Sequence, residues 1–200
     1  MKRPAPPGAA IPFSPSRGQN VRWCLRYLSP AASRSAAGRQ RRWWNMRSEA
    51  ERHMGMALRE AEKAYAEEEV PVGAIIVDGK GEIIARAHNR TIGDNDPTAH
   101  AEMLAIREAA AKAGNYRLPG ATLYVTVEPC CMCAGAVVWA RLERLVYGTA
   151  DPKGGAAGSL YRVPEDERLN HRTEVIAGVR EEECRELMLR FFRRRRETPD

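Results

Sequence analysis

Apolar residues recur at helical spacing at Met54, Ala57, Leu58, Ala61, Ala64 and Tyr65, which predicts a helix with one buried face. Its end runs into Glu67-Glu68-Glu69, which reads as a solvated edge. The compact apolar run Val72 to Val77 predicts a strand, and Asp78-Gly79 signals a hairpin into a second strand from Glu82 to Ala87. A helix is expected from about Pro97 to Ala113, stopped by Gly114-Asn115. A buried strand from Ala121 to Val127 follows, then a helix from Cys130 to about Arg141 and a strand from Arg144 to Gly148. A short strand near Thr173 to Ile176 and a last helix from Arg180 to about Arg196 close the pattern. Cys184, Leu187, Met188, Phe191 and Phe192 make the apolar stripe of that helix. Strand, helix, strand in this order implies parallel pairing through a crossover helix, an α/β architecture whose sites gather at strand ends and helix starts.

Length and charge change the picture in one respect. Two hundred residues suffice for one ordinary domain with an appendage. The net charge of +6 is unevenly spread: residues 1–48 hold ten Lys or Arg and no acid, so the remainder carries 22 basic and 26 acidic residues, about −4. A globally basic nucleic-acid face is therefore not implied. The expected division is a disordered basic extension over 1–48 and a folded domain over 49–200. Three readings of the extension stand beside one another. The favoured one is a start codon placed upstream of a true beginning at Met46; the others are a basic tail that adds sequence-independent RNA affinity and an organellar targeting segment. Trp23, Trp43 and Trp44 within it are candidates for stacking on bases. Five cysteines, two of them in a metal-binding pattern, do not form a disulfide framework and point to a reducing cytoplasm. No apolar run approaches the roughly 20 residues that span a bilayer.

The chemistry concentrates between Thr98 and Cys133. Cys130 and Cys133 are three apart, so on the first turn of a helix their sulfurs share a face. Pro129 suits the first helical position, and Asp96 or Thr98 is the expected N-cap of the preceding helix. His100 and Glu102 are two apart, and on a helix they diverge by about 200°, so they are not joint ligands. One imidazole and two thiolates suit a tetrahedral zinc with one corner open to water, whose pKa the metal brings to about 7. Glu102, off the metal but beside the open corner, is placed to carry protons. The reaction class implied is hydrolysis of a polarised C–N bond.

His-Ala-Glu followed by Pro-Cys-x-x-Cys resembles the signature of the zinc nucleobase deaminases. Asn89-Arg90, Asp96 to Glu102, Glu128-Pro129-Cys130, Cys133-Ala134-Gly135-Ala136 and Asp151 to Ser159 together resemble one branch, the bacterial tRNA-specific adenosine deaminases. The resemblance runs from about Glu49 to about Arg196. It implies a cytidine deaminase-like fold, a three-layer α-β-α sandwich around a mixed five-stranded sheet. It implies one zinc on His100, Cys130 and Cys133, with Glu102 as the catalytic acid and base. The substrate implied is the wobble adenosine of a tRNA anticodon loop, converted to inosine, and the assembly implied is a homodimer. Asn89 would read the flipped base, Asp151 would accept from a sugar or base donor, and Lys153 would meet phosphate. The backbone N–H groups of Ala101 and Cys130 would face the developing charge.

Plainer readings compete. A structural zinc site needs a fourth ligand, which Cys131 does not offer because it points away on a helix. Cys184 reads as a core residue, and His53 and His88 as surface or hydrogen-bonded. His171 follows Asn170 in a family-like pair, which suggests a role near RNA. Arg193 to Arg196 reads either as a solvated helix end or as an RNA contact, and of Phe191 and Phe192 at least one should pack in the core. Two rival functions remain: a deaminase of a free base or nucleotide, guanine or deoxycytidylate in type, and a non-catalytic RNA-binding subunit with a relic zinc site.

Overall fold

The structure, a computed structural model, describes residues 36–197, with side chains from residue 47 onward. The expectation for Trp23 lies outside the described residues and those for Trp43 and Trp44 outside the described side chains; residues 36–48, expected within a disordered extension, are instead helical. The chain divides into units of residues 1–39 and 40–200, and the sheet and its flanking layers belong to the second.

The expected helices and strands are present in the expected order. They are α1 (Ala36–Ala66), β1 (Gly73–Val77), β2 (Ile83–His88), α2 (Ala101–Ala113), β3 (Thr122–Val127), α3 (Cys131–Trp139), β4 (Arg144–Thr149), β5 (Glu174–Ile176) and α4 (Glu181–Glu197). A 3-10 turn at Val163–Glu165, which periodicity did not signal, lies between β4 and β5. The strands form one mixed sheet in the order β2-β1-β3-β4-β5. β1 pairs antiparallel with β2 and β3, while β3, β4 and β5 run parallel.

Strand alternation distributes the core to both faces. Ile75 and Val77 of β1, with Tyr124 and Val146, pack against Met54, Ala57, Leu58 and Ala61 of α1 and Cys184 and Leu187 of α4. Their neighbours Ala74 and Ile76, with Leu123, Val125 and Leu145, pack against Ala101, Ala105 and Ala109 of α2 and Val137 of α3. The result is the three-layer α-β-α sandwich, with α1 and α4 on one face and α2 and α3 on the other. No helix among the described residues is long and apolar enough to cross a membrane.

Several local expectations are corrected. The hairpin reverses at Gly79-Lys80 as Asp78-Gly79 signals, with the Gly81 N–H donating to Asp78 O at 3.0 Å, and Gly81, which periodicity did not single out, takes the left-handed φ of 86° that suits glycine. Asp78 organises that turn by accepting the Lys80 and Glu82 N–H groups on Oδ1, both at 2.9 Å. The N-caps are His100 and Cys130, not Asp96 or Thr98, and Pro129 precedes the cap instead of opening the helix. Asp96 closes a turn of its own by accepting from the Thr98 N–H and hydroxyl, each at 2.7 Å. Glu69 is not on a solvated edge. It is 2% exposed and accepts the Ile92 and Gly93 N–H groups at 2.8 and 2.7 Å and the Thr91 hydroxyl at 3.1 Å. The loop it holds, between β2 and α2, carries the chain from Asn89 to His100.

His53 on α1 is buried under the Tyr124 ring, with centroids 4.9 Å apart. Its Nδ1 has no hydrogen-bond partner, and its Nε2 lies 3.1 Å from an Arg52 guanidinium nitrogen. Burial holds the ring below its ordinary pKa of 6.5; the charges of Arg52 and Arg86 add to this, and Glu49 opposes it. Above about pH 6.5 the ring is neutral in both folded and unfolded chains. As pH falls through that value the unfolded chain takes the proton first, so stability drops by at most about 1.4 kcal/mol per pH unit for this group. His53→Phe is accordingly expected to flatten the decline in urea midpoint of the metal-loaded protein between pH 7.5 and 5.5. An unchanged slope would show that His53 does not titrate in this window.

Candidate active site and metal centre

The site forms where α2 and α3 begin on the same face of the sheet. His100 and Cys130 are the two N-cap residues, each with extended backbone, at φ −75° and ψ 148° and at φ −70° and ψ 175°. Neither side chain caps its helix, so each is left to point into the space between the two starts. Cys133 follows one turn into α3 and is fully buried. His100 Nδ1 lies 3.8 Å from Cys130 Sγ and 3.6 Å from Cys133 Sγ. The three ligand atoms lie within 4.8 Å of one another.

These distances fit zinc. Bonds of about 2.3 Å to sulfur and 2.05 Å to nitrogen place tetrahedral neighbours about 3.6 Å apart. Charge fits as well. The Cys130 thiol is brought down to about 3, first by the Cys133 thiol that donates to it and then by His100. The Cys133 thiol is pushed up by Cys130, by burial and by the Glu102 carboxylate. Without a counter-charge, one thiolate suppresses the other. A dication removes that penalty and allows both sulfurs to ligate. Cys131 is exposed, and Cys184 is buried in the opposite layer, where burial raises its thiol to about 12. Among the described residues no fourth His, Cys, Asp or Glu joins the group.

Glu102 stands in the first turn of α2 and is 3% exposed. Burial pushes its carboxyl up to about 7, against its own N–H and the neighbouring His100, which favour the charged form. Asn89, 6% exposed at the end of β2, accepts the Ala101 N–H on Oδ1 at 2.9 Å. The Ala101 N–H, expected to face the substrate, is thus turned to Asn89, and the Asn89 amide NH2 is the donor left to offer.

Asp151 and Lys153 lie in the loop after β4, half-buried and exposed respectively. Asp151 Oδ1 accepts the Lys153 N–H at 2.9 Å, so its first task is to shape the loop. The loop is fastened to the metal-bearing segment: the Ala156 N–H donates to Pro129 O at 2.8 Å, and Cys130 and Gly155 form an antiparallel bridge.

His171 contacts the Leu142 carbonyl through Nε2 at 2.8 Å, which ties the chain before β5 to the connection between α3 and β4. Phe191 is buried edge-on against Tyr65, and Phe192 is exposed. Arg190 and Arg194 lie over the Tyr65 ring at 4.7 and 5.6 Å, Arg194 pairs with Glu68, and Arg195 lies over Phe191.

Comparison with known proteins identifies the constellation. Residues 47–149 match the cytidine and deoxycytidylate deaminase zinc-binding region. A tRNA-specific adenosine deaminase of Bacillus subtilis is 54% identical over 143 residues, covering 72% of this chain and 88% of that protein. The chain belongs to the tRNA-specific adenosine deaminase branch of this zinc-binding family. The corresponding protein of Haemophilus influenzae is 49% identical over 147 residues, 74% of this chain and 85% of its own. Among solved structures, a chain from a study of A-to-I editing by tRNA A34 deaminases at the wobble position superposes with a TM-score of 0.65. It is 48% identical and covers 68% of this chain and 98% of its own. A guanine deaminase of Nitrosomonas europaea has the same fold at 25% identity and a TM-score of 0.61, covering 70% of this chain and 83% of its own.

The metal centre generates a direct expectation. The purified protein should carry about one zinc per chain, and Cys133→Ala less than about a tenth of that after dialysis, measured by elemental analysis. Full zinc in the variant would mean that Cys133 is not a ligand.

Proposed function

We infer that this protein hydrolyses adenosine to inosine at the wobble position of a tRNA anticodon loop, with its deaminase domain in residues 49–200 behind a basic extension. The observation that carries the reading is a three-ligand set beside a buried, unligated carboxyl whose pKa lies close to neutrality. His100, Cys130 and Cys133 would hold the zinc, which when bound would supply Lewis acidity and lower the pKa of water toward neutrality.

The chain's own residues do the rest. An anticodon loop presents bases already partly unstacked, so extruding one costs only a few kcal/mol. The Asn89 amide, oriented by its bond to Ala101, donates to the base. As water adds at C6, Glu102 takes its proton and delivers it to N1. A second transfer protonates the amino group, the C6–N6 bond breaks, and inosine and ammonia result. A carboxyl near pH 7 serves both directions of transfer. Lys153, exposed on its loop, meets a neighbouring phosphate, and Asp151 accepts from a sugar or base donor where its loop contact leaves an oxygen open. The exposed Trp139, Leu160 and Tyr161 favour a second copy of the chain as partner in a homodimer. A reducing cytoplasm suits the free thiols of the site.

The free-base rival shares the fold, as the guanine deaminase neighbour illustrates. Identity of about half to RNA-directed relatives, against a quarter to that protein, favours RNA. Offered a tRNA with an A-C-G anticodon beside free adenosine, guanine and cytidine nucleotides, the enzyme should form inosine in the tRNA alone. Turnover of a free base or nucleotide without inosine in RNA would transfer the chain to the rival reading.

Glu102→Ala should keep its zinc and lose deamination by about a hundredfold to ten-thousandfold, the range typical of a general acid and base. Wild-type turnover in that variant would remove Glu102 from the mechanism.

A further inference from the structure

We propose that Glu128 is a positioning residue for substrate: its carboxylate is the anchor by which the segment bearing Cys130 sets the conformation of the loop 151–159. The proposal rests on the reading of that loop as a contact to RNA. Glu128 ends the β3 segment and is 3% exposed. Four donors from one loop converge on it. Oε1 accepts the N–H groups of Ala157 at 3.0 Å and Ser159 at 2.9 Å; Oε2 accepts the Asp151 N–H at 3.0 Å and the Ser159 hydroxyl.

The rest of the segment continues the attachment. The Glu128 N–H donates to Thr149 O at 2.9 Å, and Pro129 O accepts the Ala156 N–H. Gly155 passes so close that a Cβ there would stand 2.4 Å from the Glu128 carboxyl carbon. The loop is therefore moulded on this one side chain, and the two residues in its first turn with substrate chemistry, Asp151 and Lys153, take their places from it: Asp151 through its own N–H and Lys153 through its bond to Asp151.

Only a carboxylate meets four donors with two oxygens. In a glutamine the NH2 would occupy one of the two positions. There it would confront at least one backbone N–H, since the Ser159 hydroxyl can rotate to accept but the Asp151, Ala157 and Ser159 N–H groups cannot. Glu128→Gln thus loosens the loop while leaving shape and volume nearly unchanged. Ser159→Ala removes one hydroxyl from an exposed position and is the milder variant, suited to a case in which Glu128→Gln fails to fold.

The test uses the full zinc-loaded chain, with hydrogen exchange at residues 151–159, zinc content, and kcat and KM on an anticodon stem-loop carrying A-C-G. Glu128→Gln is expected to speed exchange at residues 155–159 and raise KM about tenfold, the effect of losing hydrogen bonds to a charged group, while kcat falls less than about threefold. Ser159→Ala should move the same two quantities less, with zinc retained in both. Loop exchange and KM at wild-type values in both variants overturn the proposal, and so does loss of zinc in parallel with turnover. Lys153→Ala separates the layers: a raised KM there with an unmoved KM in Glu128→Gln rejects Glu128 alone, whereas no change in either rejects the loop as a substrate contact. A wild-type enzyme that turns over no stem-loop rejects the functional reading itself.

Discussion

The site depends on two helices beginning at one point. An N-cap residue is extended while its carbonyl already enters the helix, and its side chain projects forward from the first turn. In most helices a Ser, Thr, Asp or Asn uses that side chain to accept from the turn. Here His100 and Cys130 hold both cap positions and do no capping, which frees an imidazole and a thiol for the gap between α2 and α3. Partial positive charge at both helix starts favours thiolate over thiol. The antiparallel pairing of β1 with β2 on one side and with β3 on the other fixes the strands that lead to the two starts.

Burial then gives neighbouring groups different chemistry. Glu102 sits two residues past its cap, excluded from water, and is left near neutrality by desolvation. Cys130, half-buried, is held far below an ordinary thiol. Two acids in one small volume would otherwise compete for the same charge. Separating a readily ionised ligand from a carboxyl that exchanges protons near pH 7 is what lets one site bind a cation and also move protons.

Much of this was legible in the sequence because it is periodic or closely spaced. The order of strands and helices followed from apolar recurrence, and the ligand group from His100 and the Cys130, Cys133 pair. What escaped was contact between segments far apart in the chain. The Glu67-Glu68-Glu69 run looks like solvent edge in any local window, yet Glu69 turns inward because the loop after β2 brings three donors to it. Pro129 fits a first helical position by propensity, but Cys130 after it is held extended in a bridge to Gly155 and so becomes the cap. Glu128 carried one available signal, an acid directly after the apolar strand Thr122–Val127, and no periodicity tells what satisfies it.

Glu69 and Glu128 solve the same physical problem for two different loops. A loop that borders a site has few apolar contacts to hold it, and its backbone N–H groups need acceptors once water is excluded. A buried carboxylate from the neighbouring element supplies several acceptors at once, and its charge strengthens each bond. It does so through backbone donors, so nearly all side chains in the loop remain available for other contacts. The cost is desolvation of the charge. At Glu128 burial alone would raise the pKa, and the Ser159 hydroxyl with the Ser159, Asp151 and Ala157 N–H groups reverses that, leaving the carboxyl below its ordinary value. An acid so held stays ionised while Glu102, the buried acid at the metal, lacks such a set of loop donors and is pushed toward neutrality. Hydrogen-bond donors at one carboxyl and their scarcity at the other separate scaffold from chemistry within a single fold.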